Sequence, residues 1–446
     1  MNIRTPIPTL ARCHWKGALA LLIAIAPSLS AQQPTAPLSL AELQRAALAR
    51  DARAAQRDIL SQSHSLRVRT IRDALKPQFT ISANNTHASD VTFLPVAIPG
   101  SSVPIPPKDR WSGAVDVSQV LYDGGGSSRR EAVETARLAE SVAGVDAALE
   151  PLRTEVTNTF FAAALLQASE RELESAVIDL EAVLGDTRSR VLEGAALGRD
   201  SAMVRAEWRG VQARLSQARS ARHAALRNLE RLSGVTIEDD AVLALPEWTS
   251  ALETLGPAGD AAALRERPEF VQLARTRDRV ERERSLAVVE NRPRVVAFAD
   301  GGYGRPGLNQ FQADPKGFWQ AGVKVEWKPF TWGSAARSDE AAVLQQRVLT
   351  TEERSLGDRL ARAVQGDIEN RARLKEQLAV DDEVVALREI ALAQGEAQRR
   401  ESVITAAEAV SLRSDVTEAR LARERHRIEL AQAEANIVTT LGLAPR

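Results

Sequence analysis

The chain has 446 residues, of which 26% are charged and only 4% aromatic. That length allows two or three ordinary domains, and the composition favours long solvated helices over a compact sandwich or barrel. Its 58 basic and 59 acidic side chains nearly cancel, which removes the electrostatic reason for binding nucleic acid.

Residues 1–31 read as an export signal. Arg4, Arg12 and Lys16 supply a positive start, Ala18 to Ala26 an apolar run too short to span a bilayer, and Ser28-Leu29-Ser30 small residues before a cleavage point. The single cysteine, Cys13, lies in this leader, so the exported chain is expected to have no disulfide and no thiolate nucleophile. No later apolar stretch approaches the ~20 residues of a spanning helix. Any membrane crossing therefore falls to strands.

A first repeat, residues 32–245, opens with a helix and continues into a strand at about 77–87. There Phe79, Ile81 and Ala83 alternate with Thr80, Ser82 and Asn84, the period of a strand with one apolar face. After a Pro-rich loop at 95–107, a second strand at about 111–121 sets Trp111, Gly113, Val115 and Val117 against Ser112, Asp116 and Ser118. Asp123-Gly124-Gly125 turns the corner into a helical hairpin predicted over 126–232. Stepping by three and four from Leu138 through Val145, Leu152, Ala163, Leu173, Leu180 and Leu184 to Val191 gives a coiled-coil seam. Pro151 predicts a bend within the helix, not an end. Residues 127–192 as one helix would reach about 100 Å, a spacer's length. Val204, Trp208, Val211, Leu215, Ala218 and Leu229 carry the seam back along the return helix.

A second repeat, residues 246–446, follows the same order. A helix starts near Arg267-Pro268-Glu269, strands are predicted at about 294–303 and 318–328, and a hairpin at 334–441. Trp319, Ala321, Val323, Val325 and Trp327 alternate with Gln320, Lys324, Glu326 and Lys328. Segment 295–303 alternates less cleanly, because Phe298 opposes Ala297 and Ala299. Pro77 is answered by Pro293, 216 residues on, and Gly125 by Gly333, 208 residues on. The turn from Gly194 to Ser201 is matched to the one from Gly395 to Ser402, an offset of 201. The last change drops seven residues, one heptad, which would leave every remaining side chain on its face.

The fold class expected is mainly α with a small β part: long antiparallel coiled-coil helical hairpins in two repeats, with four strands per chain. Of the chain's 18 aromatics, 12 fall within 77–122 and 293–332, many at strand ends, as the interfacial girdles of a membrane barrel require. An ordinary half-buried sheet packed on the helices is the alternative. Two hairpins cannot close a barrel, so the barrel reading needs further copies of the chain to pair the edges.

Chemistry is not asked for. Gly302-Tyr303-Gly304-Arg305-Pro306-Gly307 fits GxGxxG after a strand, but Pro306, Gly307 and Asn309 continue it as a loop where a dinucleotide site needs a helix. The histidines at 14, 64, 87, 223 and 426 share no metal-ligand spacing. We therefore expect no enzyme activity, no metal and no cofactor.

Taken together, these features resemble the TolC family of outer-membrane efflux and export proteins. The residues that carry the resemblance are the Leu121-Tyr122-Asp123-Gly124-Gly125 junction and its counterpart at 330–333, the Arg267-Pro268-Glu269 helix start, and an acid six residues after a turn glycine in both halves. The resemblance runs from about Leu38 to Leu443. It implies a homotrimer with a twelve-stranded transmembrane β-barrel, four strands per chain, continued by a helical tunnel across the periplasm. It implies outer-membrane lipid as surroundings, met at the interface by Trp111, Tyr122, Trp319, Trp327, Phe330 and Trp332. The implied partners are a periplasmic adaptor (membrane fusion) protein and an inner-membrane transporter, with no nucleic acid.

The same resemblance places a gated periplasmic entrance at Asp200 and Glu401, with Arg399 and Arg400 beside it, and adaptor contacts at Gly194, Leu197, Gly198 and Gly395. Ile404 stands where many members have a second acid, and Ala397 where some have a base. Helix capping by the two acids is an alternative role compatible with gating. The function implied is passage of small molecules, drugs or metals, from pump and adaptor to the exterior. The alternatives are the duct of a type I protein secretion system and, from another class, a periplasmic adaptor or coiled-coil protein. An adaptor would carry one hairpin between compact β-domains, not a duplicated set with barrel-like strands.

Overall fold

The computed structural model describes residues 37–92, 105–248, 252, 264–289, 291–330 and 332–443. The export signal at 1–31 and most of the Pro-rich loop lie outside the described residues. In chain order the elements are β1 (Leu38–Ser39), α1 (Leu40–Arg50), α2 (Gln56–Asp73), β2 (Gln78–His87), β3 (Asp109–Tyr122), α3 (Gly126–Leu192) and α4 (Gly198–Ser233). There follow β4 (Leu243–Ala244), α5 (Pro268–Val289), β5 (Arg294–Arg305), β6 (Lys316–Glu326), α6 (Ser334–Arg400) and α7 (Ala406–Thr440).

Helix α3 is the spine. It packs against α4 as a hairpin, and also against α1, α2, α5 and α7. Its seam is buried or half-buried throughout, with Val145, Leu149, Leu152, Val156, Ala163, Leu173, Leu180 and Leu184 among the buried residues. Pro151 lies inside the unbroken helix. The largest fully buried side chains are Phe160 and Phe161, which meet edge to face at 5.4 Å. Together with Leu43 of α1 and Leu226 and Leu229 of α4 they fill one core; Leu173, Leu180, Val204, Val211 and Leu215 fill a second towards the hairpin end. Ser39 and Glu42 form a capping box at α1, and Thr405 and Glu408 form one at α7, each satisfying N–H groups a helix start leaves open.

Both long helices, α3 and α6, have 67 residues. The halves therefore keep one offset of 208 from corner to closing turn, and the seven-residue deletion expected within the second hairpin is not there. Left-handed residues recur at that offset: Gly124 with Trp332, Gly125 with Gly333, Gly194 with Ser402, and Gly234 with Gly442. So do the backbone hydrogen bonds of the turn. Glu193, Gly194 and Ala195 donate to Ser189, Val191 and Arg190, while Glu401, Ser402 and Val403 donate to Ala397, Arg399 and Gln398. The misleading signal was Gly395, which lies buried inside α6 and not in the turn. A Cβ there would stand 2.3 Å from Leu412 Cδ1 of α7, so this glycine serves close helix packing.

Strands β2, β3, β5 and β6 form one antiparallel sheet in the order β2-β3-β5-β6, with β2 and β6 at its edges. The pairing of β3 with β5 joins the two halves. No helix among the described residues is long and apolar enough to cross a membrane.

Candidate functional site

Two regions carry the functional geometry: the sheet and the far ends of the hairpins. Directly paired residues in an antiparallel sheet share a face, so the register sorts the sheet completely. One face holds Phe79, Ile81 and Ala83, then Trp111, Val115 and Val117, then Val295, Ala297 and Ala299, then Trp319, Ala321, Val323 and Val325. This apolar face is bare: Ile81 is 84% and Trp319 78% exposed. The other face holds Thr80, Ser82, Asn84, Ser112, Asp116, Ser118, Asp300, Gln320, Lys324 and Glu326. Asp116 and Asp300 stand directly opposite each other there, and Ser82 Oγ donates to Asp116 at 3.2 Å.

The corner from sheet to helix is built by Asp123. Its carboxylate accepts N–H bonds from Gly125 at 3.0 Å and Ser127 at 2.5 Å, closing the first turn of α3 as a side-chain cap does. Gly124 takes φ +67°, and a Cβ there would meet Arg292 Cβ at 2.6 Å. The corner thus needs glycine both for its backbone and for its space.

At the opposite end, the two hairpin turns meet around a cavity of about 210 Å³ lined by residues that include Arg190, Leu197, Asp200, Arg399, Ser402 and Thr405. Arg190 at the end of α3 donates to the Arg399 carbonyl at 3.2 Å and to Ser402 Oγ at 2.8 Å. Arg399 pairs with Asp186 of α3. Further along, Arg413 of α7 reaches Asp179 of α3 at 3.7 Å, and Ser414 donates to Glu207 of α4 at 2.9 Å. These bonds tie the first hairpin to the second.

No protein-family model and no curated protein matches this sequence. Solved structures do match in fold. CusC, described in structures of folding and transmembrane channel formation, aligns with a TM-score of 0.68 at 14% identity, covering 90% of this chain and 92% of that one. The outer membrane protein VceC from Vibrio cholerae aligns at 0.64 and 14% identity, covering 90% and 96%. The Neisseria gonorrhoeae MtrE outer membrane channel, in its open state, aligns at 0.60 and 18% identity, covering 90% and 88%. The chain has the TolC-like fold.

Within the TolC-like fold the expected entrance residues separate. Asp200 is only 8% exposed and lines the cavity with Arg399; Arg199 Nε lies 3.6 Å from its carboxylate. Arg400 instead reaches back to the Glu396 carbonyl at 3.3 Å, and Glu401 is exposed. Asp200 and Glu401 are not equivalent. Asp200 is in the first turn of α4, whereas Glu401 is the C-cap of α6, where its charge adds to the negative end of the helix. A helix-start cap is thus excluded for Glu401. The counterpart of Asp200 at the 208-residue offset is Glu408, which is occupied in the α7 capping box. Gly194 and Leu197 do lie in the first turn and Gly198 opens α4 directly after it; Gly395 is in neither turn.

The aromatics expected at the membrane interfaces fall into two groups. Trp111 and Trp319 lie near one end of the strands, where Trp111 packs on Tyr303 at 5.9 Å, and Tyr122, Trp327, Phe330 and Trp332 lie at the helical end. Strand β6 stops at Glu326, two residues short of its predicted end at 328, so Trp327 lies just past the strand and Phe330 past both ends. Sequence reading missed Arg190, Asp186, Asp179, Arg413, Glu207 and Ser414. Charged residues along a helix read as solvated i to i+4 pairs, and nothing local marks a partner on another hairpin.

Proposed function

We propose that this chain is the outer-membrane channel component of a tripartite efflux system, a trimer that passes small molecules from an inner-membrane pump and periplasmic adaptor to the exterior. The observation that carries this reading is the four-stranded sheet. It has a bare apolar face, a polar face, and edges at β2 and β6 with no partner in the described chain. Such edges are stable in lipid only when closed, and closure by copies of the same chain gives a barrel with lipid outside and water within. From Trp111 to Tyr122 the strand runs about 36 Å at ~3.3 Å per residue. Tilted by ~40°, that is about 28 Å of height, close to an apolar band of ~25 Å between girdles.

In this reading the helices bridge the periplasm and the hairpin turns form the entrance. Asp200, Arg399, Arg190 and Ser402 hold it closed, and exposed Leu192, Leu197, Met203 and Val403 at the tip meet the adaptor. The protein transports and does not catalyse. Envelope fractionation with the mass of the detergent-extracted protein tests the duct: a trimer in the outer membrane is expected, and a soluble periplasmic monomer would remove the reading. A deletion strain tests the cargo. Loss of tolerance to drugs, dyes or metals is expected, whereas unchanged tolerance with loss of a secreted protein would favour the secretion duct.

A further inference from the structure

The polar face of the sheet carries two phenylalanines that strand alternation does not call for. Phe298 stands opposite Gly322 across β5 and β6, Phe318 stands opposite Gly302, and Asp300 faces Gln320 between them. A Cβ at Gly322 would lie 2.9 Å from Phe298 Cζ and 3.0 Å from its Cε1, and one at Gly302 would lie 2.9 Å from Phe318 Cζ, as well as against the Gly113 carbonyl and Ala114 Cα of β3. Each ring therefore occupies the space where the opposite residue's side chain would be. It lies down along the wall, with one side on the glycine and the other towards the interior.

The neighbouring strands leave these rings uncovered. On β3 the residues opposite Phe298, Asp300 and Gly302 are Ser118, Asp116 and Ala114, and beyond them on β2 come Gln78, Thr80 and Ser82. The row of Phe318 reads Ser82, Ala114, Gly302, Phe318: three of the smallest side chains and one ring. Phe298 keeps 37% of its surface exposed. Covering a strand glycine with an aromatic ring stabilises the sheet, which explains why each ring lies flat. It does not explain why both pairs sit on the face that water fills, when the other aromatic residues of these strands, Tyr303 and Trp319, lie on the apolar face. The two rings are four residues apart along the strand direction, about 13 Å. Three chains would set six such rings around the lumen.

Resting on the duct reading, we propose that Phe298 and Phe318, laid over Gly322 and Gly302, form an aromatic band inside the barrel that binds passing solutes with a flat aromatic face. Uncovered rings offer stacking surface to any such compound and a cation–π contact to a charged one. A transit site must bind weakly enough to release, and shallow rings on a wet wall meet that condition where an enclosed pocket would not.

The experiment uses the full-length protein in planar lipid bilayers, with ion current measured while tetraphenylphosphonium or tetraethylammonium is added from the barrel side. Both cations carry one charge, so their difference leaves out the charge, and the leucine variants then separate ring face from apolar bulk. Half-block by tetraphenylphosphonium is expected at a concentration about ten-fold lower than by tetraethylammonium. F298S/F318S should bring the two within about two-fold, and F298L/F318L, which keeps apolar bulk but no ring face, should do the same. G322A puts a methyl group where the Phe298 ring lies and should shift block in that direction with both rings retained. Trimer integrity on gels and unblocked current confirm that each variant is assembled. Equal block in the wild type, or a preference that survives both double variants, overturns the band and leaves the duct standing. Trimeric protein that carries no current even when R190A releases the tie at the hairpin turns removes the duct, and the band with it.

Discussion

Arg190 of the first hairpin donates to the Arg399 carbonyl of the second at 3.2 Å and to Ser402 Oγ at 2.8 Å. One guanidinium thus holds the end of α6 by its backbone and by the residue that turns it. Hydrogen bonds from a charged donor contribute about 1.5–3 kcal/mol each when well formed, less where water competes, as at this tip. If the tip is the closed entrance, R190A should loosen it. Larger single-channel conductance and uptake of a bulky hydrophilic antibiotic are expected; unchanged conductance would show that the tie is structural only.

Ser402 holds a left-handed backbone at φ 64°, where its counterpart is Gly194. That conformation costs a non-glycine residue about 1–2 kcal/mol, while the hydroxyl here accepts from Arg190. S402G should therefore separate two effects. Backbone strain falls and the thermal midpoint holds or rises, yet the entrance loosens in the direction of R190A. A lower midpoint with unchanged conductance would contradict both halves of this account.

The return helices α4 and α7 each end under an arginine. Arg50 donates to the Arg231 carbonyl at 3.1 Å. Arg267, only 8% exposed, donates to the Thr439 and Thr440 carbonyls at 3.1 and 2.8 Å while pairing with Glu269 at 2.8 Å. Positive charge at a helix C-terminus is favourable, and R267A should cost about 1.5–3 kcal/mol. Circular dichroism melting checks this, with R267K expected to recover only part, since lysine lacks the fork that serves helix end and carboxylate together.

Acid should weaken the joint between α1 and α2. Asp51 accepts the Arg53 guanidinium at 2.8 Å and the Arg53 N–H at 2.8 Å, bonds that hold its carboxyl down at about 2. A carboxylate whose folded value lies below its unfolded value of ~3.9 contributes fully above that pH and loses the contribution as pH falls towards the folded value. Between pH ~4 and ~2 the wild type should lose stability that D51N never had. Parallel acid titrations of the two proteins over that window would disprove the assignment.

Asp116 and Asp300 are like charges in direct cross-strand register, an arrangement that costs about 0.2–1 kcal/mol. If the sheet closes into the proposed barrel with this face inward, they also favour cations. D116N/D300N should assemble at least as stably as the wild type and lose cation preference, read as a reversal potential closer to zero across a potassium chloride gradient. An unchanged reversal potential would place the carboxylates away from the conducting path.

Much of this architecture is local and was legible. Period two gave the strands and their apolar face, because neighbouring side chains point to opposite sides. The three-four step gave the α3 seam, and the Asp-Gly-Gly corner marked its start. What the sequence could not settle was anything that depends on how one element sits against another. Gly395 looked like the turn glycine of the second hairpin because glycine marks both left-handed turns and close helix contacts. The true turn uses Ser402, which carries no such mark. The same ambiguity moved Glu401 into a place belonging to Glu408 and hid the equal length of α3 and α6. Arg190, Arg413 and Asp186 looked like solvated charges, since their partners lie on another hairpin at a distance in sequence that no helical period encodes. Phe298 read as a break in alternation, and only the register that sets it over Gly322 gives the break a cause. Periodicity is fixed by backbone geometry within one element, and the sequence alone determines it. Axial register and rotation between elements are set by packing, and the tertiary structure decided them.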